Sequence, residues 1–256
     1  MDCHARAAYL RRLGLDTAAA DEAGLRELHR AHQLAIPFEN LSIHLGEEIS
    51  LAEDDLLAKL TVRHRGGFCY ELNGAFALLL ESLGARVSRV AAKVYGNGGL
   101  GPPFDHLALI VTGSDGSGPW LVDVGFGTHS DYPLRFDDRD PQDDPGGRFL
   151  LADLASGDVK VRKDDEPQYL IERRERELSE FAPTCWWQQT SPKSHFTAGT
   201  VCSRLTGDGR VTISGRMLIR TSGGARTEEE LTDDRALLAA YLAYFGIALD
   251  RLPVRS

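Results

Sequence analysis

Apolar residues in the first third of the chain recur at helical spacing. Leu10 and Leu13 close a short first segment, and Leu25, Leu28, His32 and Ala35 fall at i, i+3, i+7 and i+10 behind Asp21, a side chain suited to an N-cap. Pro37 stops that helix. Ser50 and Glu53 have capping-box spacing ahead of Leu56, Leu57 and Leu60, while Leu72, Phe76, Leu79, Leu80 and Leu83 form one stripe ending at Gly84. From Val87 the period shortens. Stretches 87–94, 107–112 and 120–124 are β-branched runs separated by Gly- and Pro-rich turns, and Tyr169-Leu170-Ile171 is a later candidate strand. The last third predicts strands around 196–202 and 211–219. A helix then starts near Thr232, with Leu237, Leu238, Tyr241, Leu242 and Phe245 on one stripe and Gly246 as its stop. No internal repeat is visible.

Composition narrows the functional classes. At 256 residues the chain is long enough for one large domain, or for two or three small ones sharing a core. A net charge of −9 without a Lys/Arg block argues against nucleic acid or an anionic membrane as partner and favours a small molecule. Four scattered cysteines without a CxxC fit thiols in a reducing compartment better than a disulfide framework or a zinc cluster. The longest apolar runs, such as 75–80, are far below membrane-spanning length, and Met1-Asp2-Cys3-His4-Ala5-Arg6 has no apolar signal region, so a cytoplasmic protein is expected. The Asp-rich stretch 137–148 is expected to be a solvated connector without chemistry.

The candidate chemistry starts at Arg65-Gly66-Gly67-Phe68-Cys69-Tyr70-Glu71-Leu72-Asn73-Gly74, where two glycines give way to an apolar helix and place Cys69 at its first turn. The nucleophile of a thiol is its thiolate, which a helix N-terminus and a neighbouring imidazolium both stabilise. Gly66 and Gly67 are expected to open access to the sulfur. Taken without its flanks, Cys69 would fit a buried structural thiol better than a catalytic one, and Cys3, Cys185 and Cys202, which lack such flanks, are expected to be structural.

A base and its orienter follow downstream. His106 comes after a Gly- and Pro-rich turn and opens the apolar run 107–111. Asp123 lies inside Trp120-Leu121-Val122-Asp123-Val124, where an unpaired carboxylate would be costly. A hairpin of 107–112 with 119–124 would bring His106 near the Asp123 end, giving a Cys, His, Asp triad in which the carboxylate fixes the imidazole. Taken singly, His106 fits a solvated histidine and Asp123 a structural acceptor. His29 and His32 share a helix face without a metal-ligand set, and His64 and His195 flank the expected cleft without a defined role.

Two features mislead. Gly96-Asn97-Gly98-Gly99-Leu100-Gly101 matches GxGxxG, but Pro102-Pro103 follows where a dinucleotide site needs a helix, so a mobile loop beside His106 is expected. Trp186-Trp187 fits core and rim packing better than base stacking.

Ala35-Ile36-Pro37-Phe38-Glu39-Asn40-Leu41, the Cys69 segment, Phe104-Asp105-His106, Val122-Asp123-Val124-Gly125-Phe126-Gly127 and Ser194-His195-Phe196 together resemble the arylamine N-acetyltransferase family, over about residues 9–196 and in the family's order. The resemblance implies an α+β fold with a cysteine-protease-like catalytic core. Its parts would be an N-terminal helical bundle (1–84) carrying the thiol, a central antiparallel β-barrel-like domain (85–188) carrying His106 and Asp123, and a C-terminal α/β lid (189–256). It also implies a ping-pong cycle. Acetyl-CoA, as co-substrate and without a metal, would acylate Cys69, and an arylamine, arylhydroxylamine or hydrazine would take the acetyl group. Tyr70, Gly125, Phe126, Gly127 and Phe196 would lie near CoA and acceptor, with backbone N–H groups of 125–127 meeting its phosphates. Thr128 stands where the family usually has a further glycine, and the short C-terminal stretch ending at Ser256 bears on the lid's contact with CoA.

The same triad serves a relative of this fold, an amide synthase that releases a polyketide chain from an acyl carrier protein as a macrolactam. It also serves a cysteine hydrolase or transglutaminase-like enzyme, and a reactive thiol in a non-enzymatic sensor is the remaining class. They differ in donor, in the fate of the acyl group and in the need for His106.

Overall fold

The computed structural model describes residues 1–96 and 98–253. Asn97 of the glycine-rich motif and residues 254–256 lie outside them. The helices are α1 (Cys3–Leu13), α2 (Glu22–Ala35), α3 (Leu41–Leu45), α4 (Glu53–Leu57), α5 (Cys69–Ser82), α6 (Ala182–Thr190) and α7 (Asp234–Phe245). The strands are β1 (Phe38–Glu39), β2 (Arg86–Gly96), β3 (Gly99–Leu100), β4 (His106–Thr112), β5 (Trp120–Val122), β6 (Leu134–Arg135) and β7 (Gln142–Asp144). They continue with β8 (Gly147–Asp153), β9 (Val159–Lys163), β10 (Glu166–Glu175), β11 (Val201–Leu205), β12 (Gly209–Ser214), β13 (Met217–Ser222) and β14 (Ala225–Glu230). The architecture is α+β with a cysteine-protease-like core: helices first, a barrel-like antiparallel sheet in the middle, and a mixed α/β portion last.

Local signals set several boundaries. Asp21 caps α2 by accepting from Gly24 N–H at 2.8 Å, and Asp233 caps α7. Gly246 ends α7 in the left-handed region, at φ 69°. The expected capping box at Ser50 does not form. Helix α4 starts later, at Glu53, and runs into a π-helical turn at Ala58–Val62, while Ser50 Oγ accepts from Ala52 N–H. Leu56, Leu57 and Leu60 are buried nonetheless.

Helix α5 is the buried axis of the helical part. Leu72, Phe76, Leu79 and Leu80 are fully buried, each contributing about 1.5–3 kcal/mol by leaving water. They pack in one core with Leu25, Leu28, Leu107, Leu109 and Val122, so the helix that carries Cys69 and the strands that carry His106 and lead to Asp123 share the same apolar interior. A second core, with Phe149, Val161 and Tyr169, fills the barrel, and a third, with Ile213, Tyr241 and Phe245, lies under the last portion.

The barrel order is β6-β5-β4-β2-β10-β9-β8-β7, with β3 added to β2. Its two terminal strands meet through side chains instead of a ladder. Arg135 N–H donates to Gln142 Oε1 at 2.7 Å and Gln142 Nε2 donates back to Arg135 C=O at 2.9 Å, while Asp144 accepts from the N–H groups of Asp131 and Tyr132. The Asp-rich stretch is thus part of the barrel and not a plain connector. Of the described residues of the glycine-rich motif, Gly96 pairs with Gly99 and Leu100 pairs with Tyr95, in antiparallel register. In the second sheet, β1-β11-β12-β13-β14, Phe38 from the helical part pairs with Ser203. Phe196, expected in a strand, lies in a 3-10 turn at His195–Thr197.

Candidate active site

The segment before Cys69 is pinned to β1. Glu39 N–H donates to Gly67 C=O at 2.8 Å, and Phe38 and Gly67 form a parallel bridge. A Cβ on Gly66 would stand 1.9 Å from the Pro37 carbonyl oxygen, so this glycine serves a close approach of the protein's own backbone, not the substrate access expected of it. Arg65 pairs with buried Glu39 at 3.0 Å. Cys69 is therefore the first helical residue at the end of a fixed strut, and it is 3 % exposed. Glu71 and Leu72 give their N–H groups to Phe68 C=O, which leaves those of Cys69 and Tyr70 at the helix start without an intrahelical acceptor.

His106 is the first residue of β4, and Asp123 comes one residue after β5 ends, not inside the strand. The β4–β5 register pairs Leu109 with Val122, which leaves the two side chains facing across the open end of the hairpin. His106 Nε2 lies 2.7 Å from Asp123 Oδ2, and Cys69 lines the same cleft as this imidazole, its sulfur near enough to favour the charged ring. Because Nε2 serves the carboxylate, Nδ1 is the nitrogen left for sulfur. All three residues are buried. Burial alone would lower the imidazole pKa, but the Asp123 charge and hydrogen bond, then the Cys69 contact, outweigh it and hold His106 up at about 10. Burial would conversely raise Asp123, and His106 above all holds that carboxyl well below the usual range. Both shifts favour the ionised forms of the pair.

Several groups immobilise the acid, and none was legible as functional in the sequence. Asp123 Oδ1 accepts from Asn73 Nδ2 at 2.9 Å and from Gly125 N–H at 3.0 Å. Asn73 stands four residues after Cys69, on the same face of α5, and also takes Val124 N–H at 3.0 Å. Tyr169 donates its hydroxyl to Asp123 Oδ2 at 3.1 Å, so its contact with His129 Nε2, also 3.1 Å, must be a donation from that nitrogen. His129 is thereby the neutral Nε2–H tautomer, and burial holds its pKa down at about 3. His29 Nε2 accepts the Asp123 N–H at 3.3 Å, and its Nδ1 donates to Asp131 C=O at 3.0 Å. The spacing of Asn73 from Cys69 was the one available signal. His29, His129 and Tyr169 arrive from three remote segments.

A cleft of about 220 Å³ opens onto Cys69 and His106. Phe38, Val94, Phe126, Phe196 and Val201 give it apolar walls, and Asp105 and His195 add polar groups. The Phe126 ring meets His106 edge to face at 5.2 Å. Of the residues expected near a ligand, Gly125, Phe126 and Phe196 line this cleft. Tyr70 does not: its ring is fully buried and its hydroxyl donates to the carbonyls of Phe104 and Asp105. Gly127, at φ 89°, packs beside the Phe38 ring instead of lining the cleft. The Gly125 N–H is already given to Asp123, which removes it from any phosphate contact. Thr128 faces a different cavity, and His64 is exposed away from the cleft. His32 is buried against Tyr9 at 2.9 Å, and Trp186 is 65 % exposed, so it is not core. Cys185 and Cys202 are buried, and burial pushes both thiols up. Among the described residues no cluster of three or more His, Cys, Asp or Glu is arranged to hold a metal, and no helix is long and apolar enough to cross a membrane.

The sequence model described as N-acetyltransferase matches residues 22–254. The arylamine N-acetyltransferase of Mycolicibacterium smegmatis is 33% identical over 96% of this chain and 93% of its own length, and that of Escherichia coli is 31% identical over 94% and 88%. The solved M. smegmatis arylamine N-acetyltransferase superimposes with a TM-score of 0.90 over 99% of this chain and 96% of that one. The Mycobacterium marinum enzyme in complex with CoA superimposes at 0.86, covering 94% and 92%. With a buried imidazole bridging a thiol and a carboxylate on this shared fold, the chain belongs to the arylamine N-acetyltransferase family of acyltransferases.

Proposed function

We propose that the chain carries an acetyl group from acetyl-CoA to an arylamine, arylhydroxylamine or hydrazine through a thioester on Cys69, with His106 and Asp123 completing the triad. The observation that carries this reading is the His106 ring, hydrogen-bonded to Asp123 and lining one apolar cleft together with Cys69. The imidazolium stabilises the thiolate, which attacks the thioester carbonyl. First-turn N–H groups of α5 are placed to meet the developing oxyanion. As the C–S bond to CoA breaks, His106 gives its Nδ1 proton to the departing thiolate. It then takes a proton from the amine as that attacks acetyl-Cys69, and the Cys69 thiolate is expelled. The CoA complex of the M. marinum enzyme supports the donor, and Phe126 and Phe196 are placed to hold an acceptor ring. A division into 1–84, 85–188 and 189–256 draws support from the core inside the barrel, formed wholly within 85–188, whereas the first core takes side chains from both sides of the boundary at 84 and β1 pairs with β11 of the last portion. The apolar walls of the cleft suit an acetyl group beside an aromatic ring.

The test is intact-mass measurement after exposure to a panel of acyl-thioesters. A single acetyl adduct from acetyl-CoA, mapped to the Cys69 peptide and discharged by an added arylamine, is expected. Loading only from long carrier-bound acyl chains would replace this reading with the amide synthase, and discharge to water faster than to amine would indicate a hydrolase.

A further inference from the structure

The turn after Asp123 divides two cavities: Phe126 enters the acyl cleft, while Thr128 and His129 face a second cavity of about 420 Å³. Arg30 from α2, Lys163 at the end of β9 and Arg210 from β12 converge on this second space. Arg30 is paired with Asp131. Lys163 and Arg210 are different: among the described residues neither has a carboxylate within salt-bridge distance, and the hydrogen bond Arg210 makes is to Ser203 Oγ at 3.2 Å. The other carboxylate on the wall, Asp208, is engaged by Ser222 and Thr206.

Two half-buried cations lining one cavity, with carboxylates nearby but none in salt-bridge contact with either, leave room for an anion to complete them. Burial draws the Lys163 ammonium below its ordinary value and the Arg210 charge draws it further, against the opposite pull of Asp164, Asp144 and Asp131. Gly207 at the rim has open space around it, leaving the entrance clear.

We propose that this cavity is a binding site for a phosphate-type oxyanion, held between Lys163 and Arg210. The inference rests on charge and cavity alone and does not depend on the acyl-transfer reading. Guanidinium and ammonium groups match phosphate oxygens through charge-assisted hydrogen bonds. The same chemistry can come from free phosphate or from the phosphates of CoA, and the experiment separates the two.

Inorganic phosphate is titrated calorimetrically into the full chain in a buffer free of competing anions. One saturable site is expected, weakened more than about tenfold in Lys163→Met and in Arg210→Met and retained in Lys163→Arg and Arg210→Lys, which keep the charge should the methionine variants fold poorly. Phosphate binding that persists at saturating CoA identifies a free oxyanion as occupant. Mutual exclusion, with a raised KM for acetyl-CoA in both methionine variants, identifies the CoA phosphates. Absence of saturable phosphate binding, or equal binding by the wild type and a well-folded Lys163→Met/Arg210→Met double variant, overturns the proposal.

Discussion

The hydroxyl of Tyr169 lies 3.1 Å from Asp123 Oδ2, the oxygen that also receives His106 Nε2 at 2.7 Å. One carboxylate oxygen thus answers to two donors, one of which holds it still while the other shares its charge. Removing the hydroxyl in Tyr169→Phe leaves the His129 Nε2–H without its acceptor and takes one of two donors from Asp123 Oδ2, while Asn73 and Gly125 still hold Oδ1. The expected outcome is a fall of about tenfold in kcat/KM, with the rate of Cys69 alkylation reduced in parallel and the circular dichroism spectrum unchanged.

Asp123→Asn replaces the charge that keeps the imidazole protonated. Asn73 and Gly125 N–H can still bind an amide oxygen, so the fold is expected to persist. Transfer should drop by about 10³–10⁴, the scale seen when a triad acid loses its charge. Cys69→Ala should abolish it. Near-normal arylamine acetylation by either variant, measured with a thiol reagent that traps released CoA, would remove the triad from the mechanism.

Gly125 tests positioning without touching a reactive atom. A Cβ there would stand 2.8 Å from the Cys69 Cα and 2.8 Å from Asn73 Nδ2, distances that force the first turn of α5 to move. Gly125→Ala should cost at least tenfold in kcat, because ångström displacements of a nucleophile are that expensive, while the melting temperature changes far less. A variant with normal kcat would show that the turn yields freely.

The pH dependence of stability has two parts with opposite signs. His106 is raised and Asp123 lowered in the folded state, so their pair adds stability above the unfolded carboxyl value. The His106 share is fully present below its unfolded value and fades as pH rises toward about 10. His32 and His129 are buried and held down at about 3, and His29 is also lowered, all by burial first. Depressed histidines contribute stability above their unfolded value of about 6.5 and lose it as pH falls. Chemical denaturation should therefore show stability declining below about pH 6.5. His32→Gln should flatten that slope by about 1.4 kcal/mol per pH unit, one proton's worth. An unchanged slope would mean that His32 stays protonated when folded.

The helix stripes, the hairpin and the thiol, base and acid were legible because each rests on local spacing: Cys69 before an apolar run, and His106 and Asp123 at the two ends of one predicted β-hairpin. Tyr70 was misplaced because adjacency to the nucleophile says nothing about which way a helical side chain points, and here it points into the core. The supports of Asp123 were not legible because His29, Tyr169 and His129 come from α2, β10 and the turn beyond β5, and only the closed barrel brings them together. Gly66 was visible as a special position, but its reason, the Pro37 carbonyl, lies 29 residues away in the chain. The Asp-rich stretch looked like solvent-facing filler because a Gln side chain imitating a peptide group leaves no periodic trace.

That imitation makes Gln142 the fastener of the β6 end of the seam, with Asp144 holding the turn beside it. Gln142→Ala would unfasten it without deleting a strand, baring two short edges with unpaired amides on either side. Self-association by edge pairing, rather than loss of catalysis, is then the first failure to look for by light scattering, which marks residue 142 as a guard of solubility.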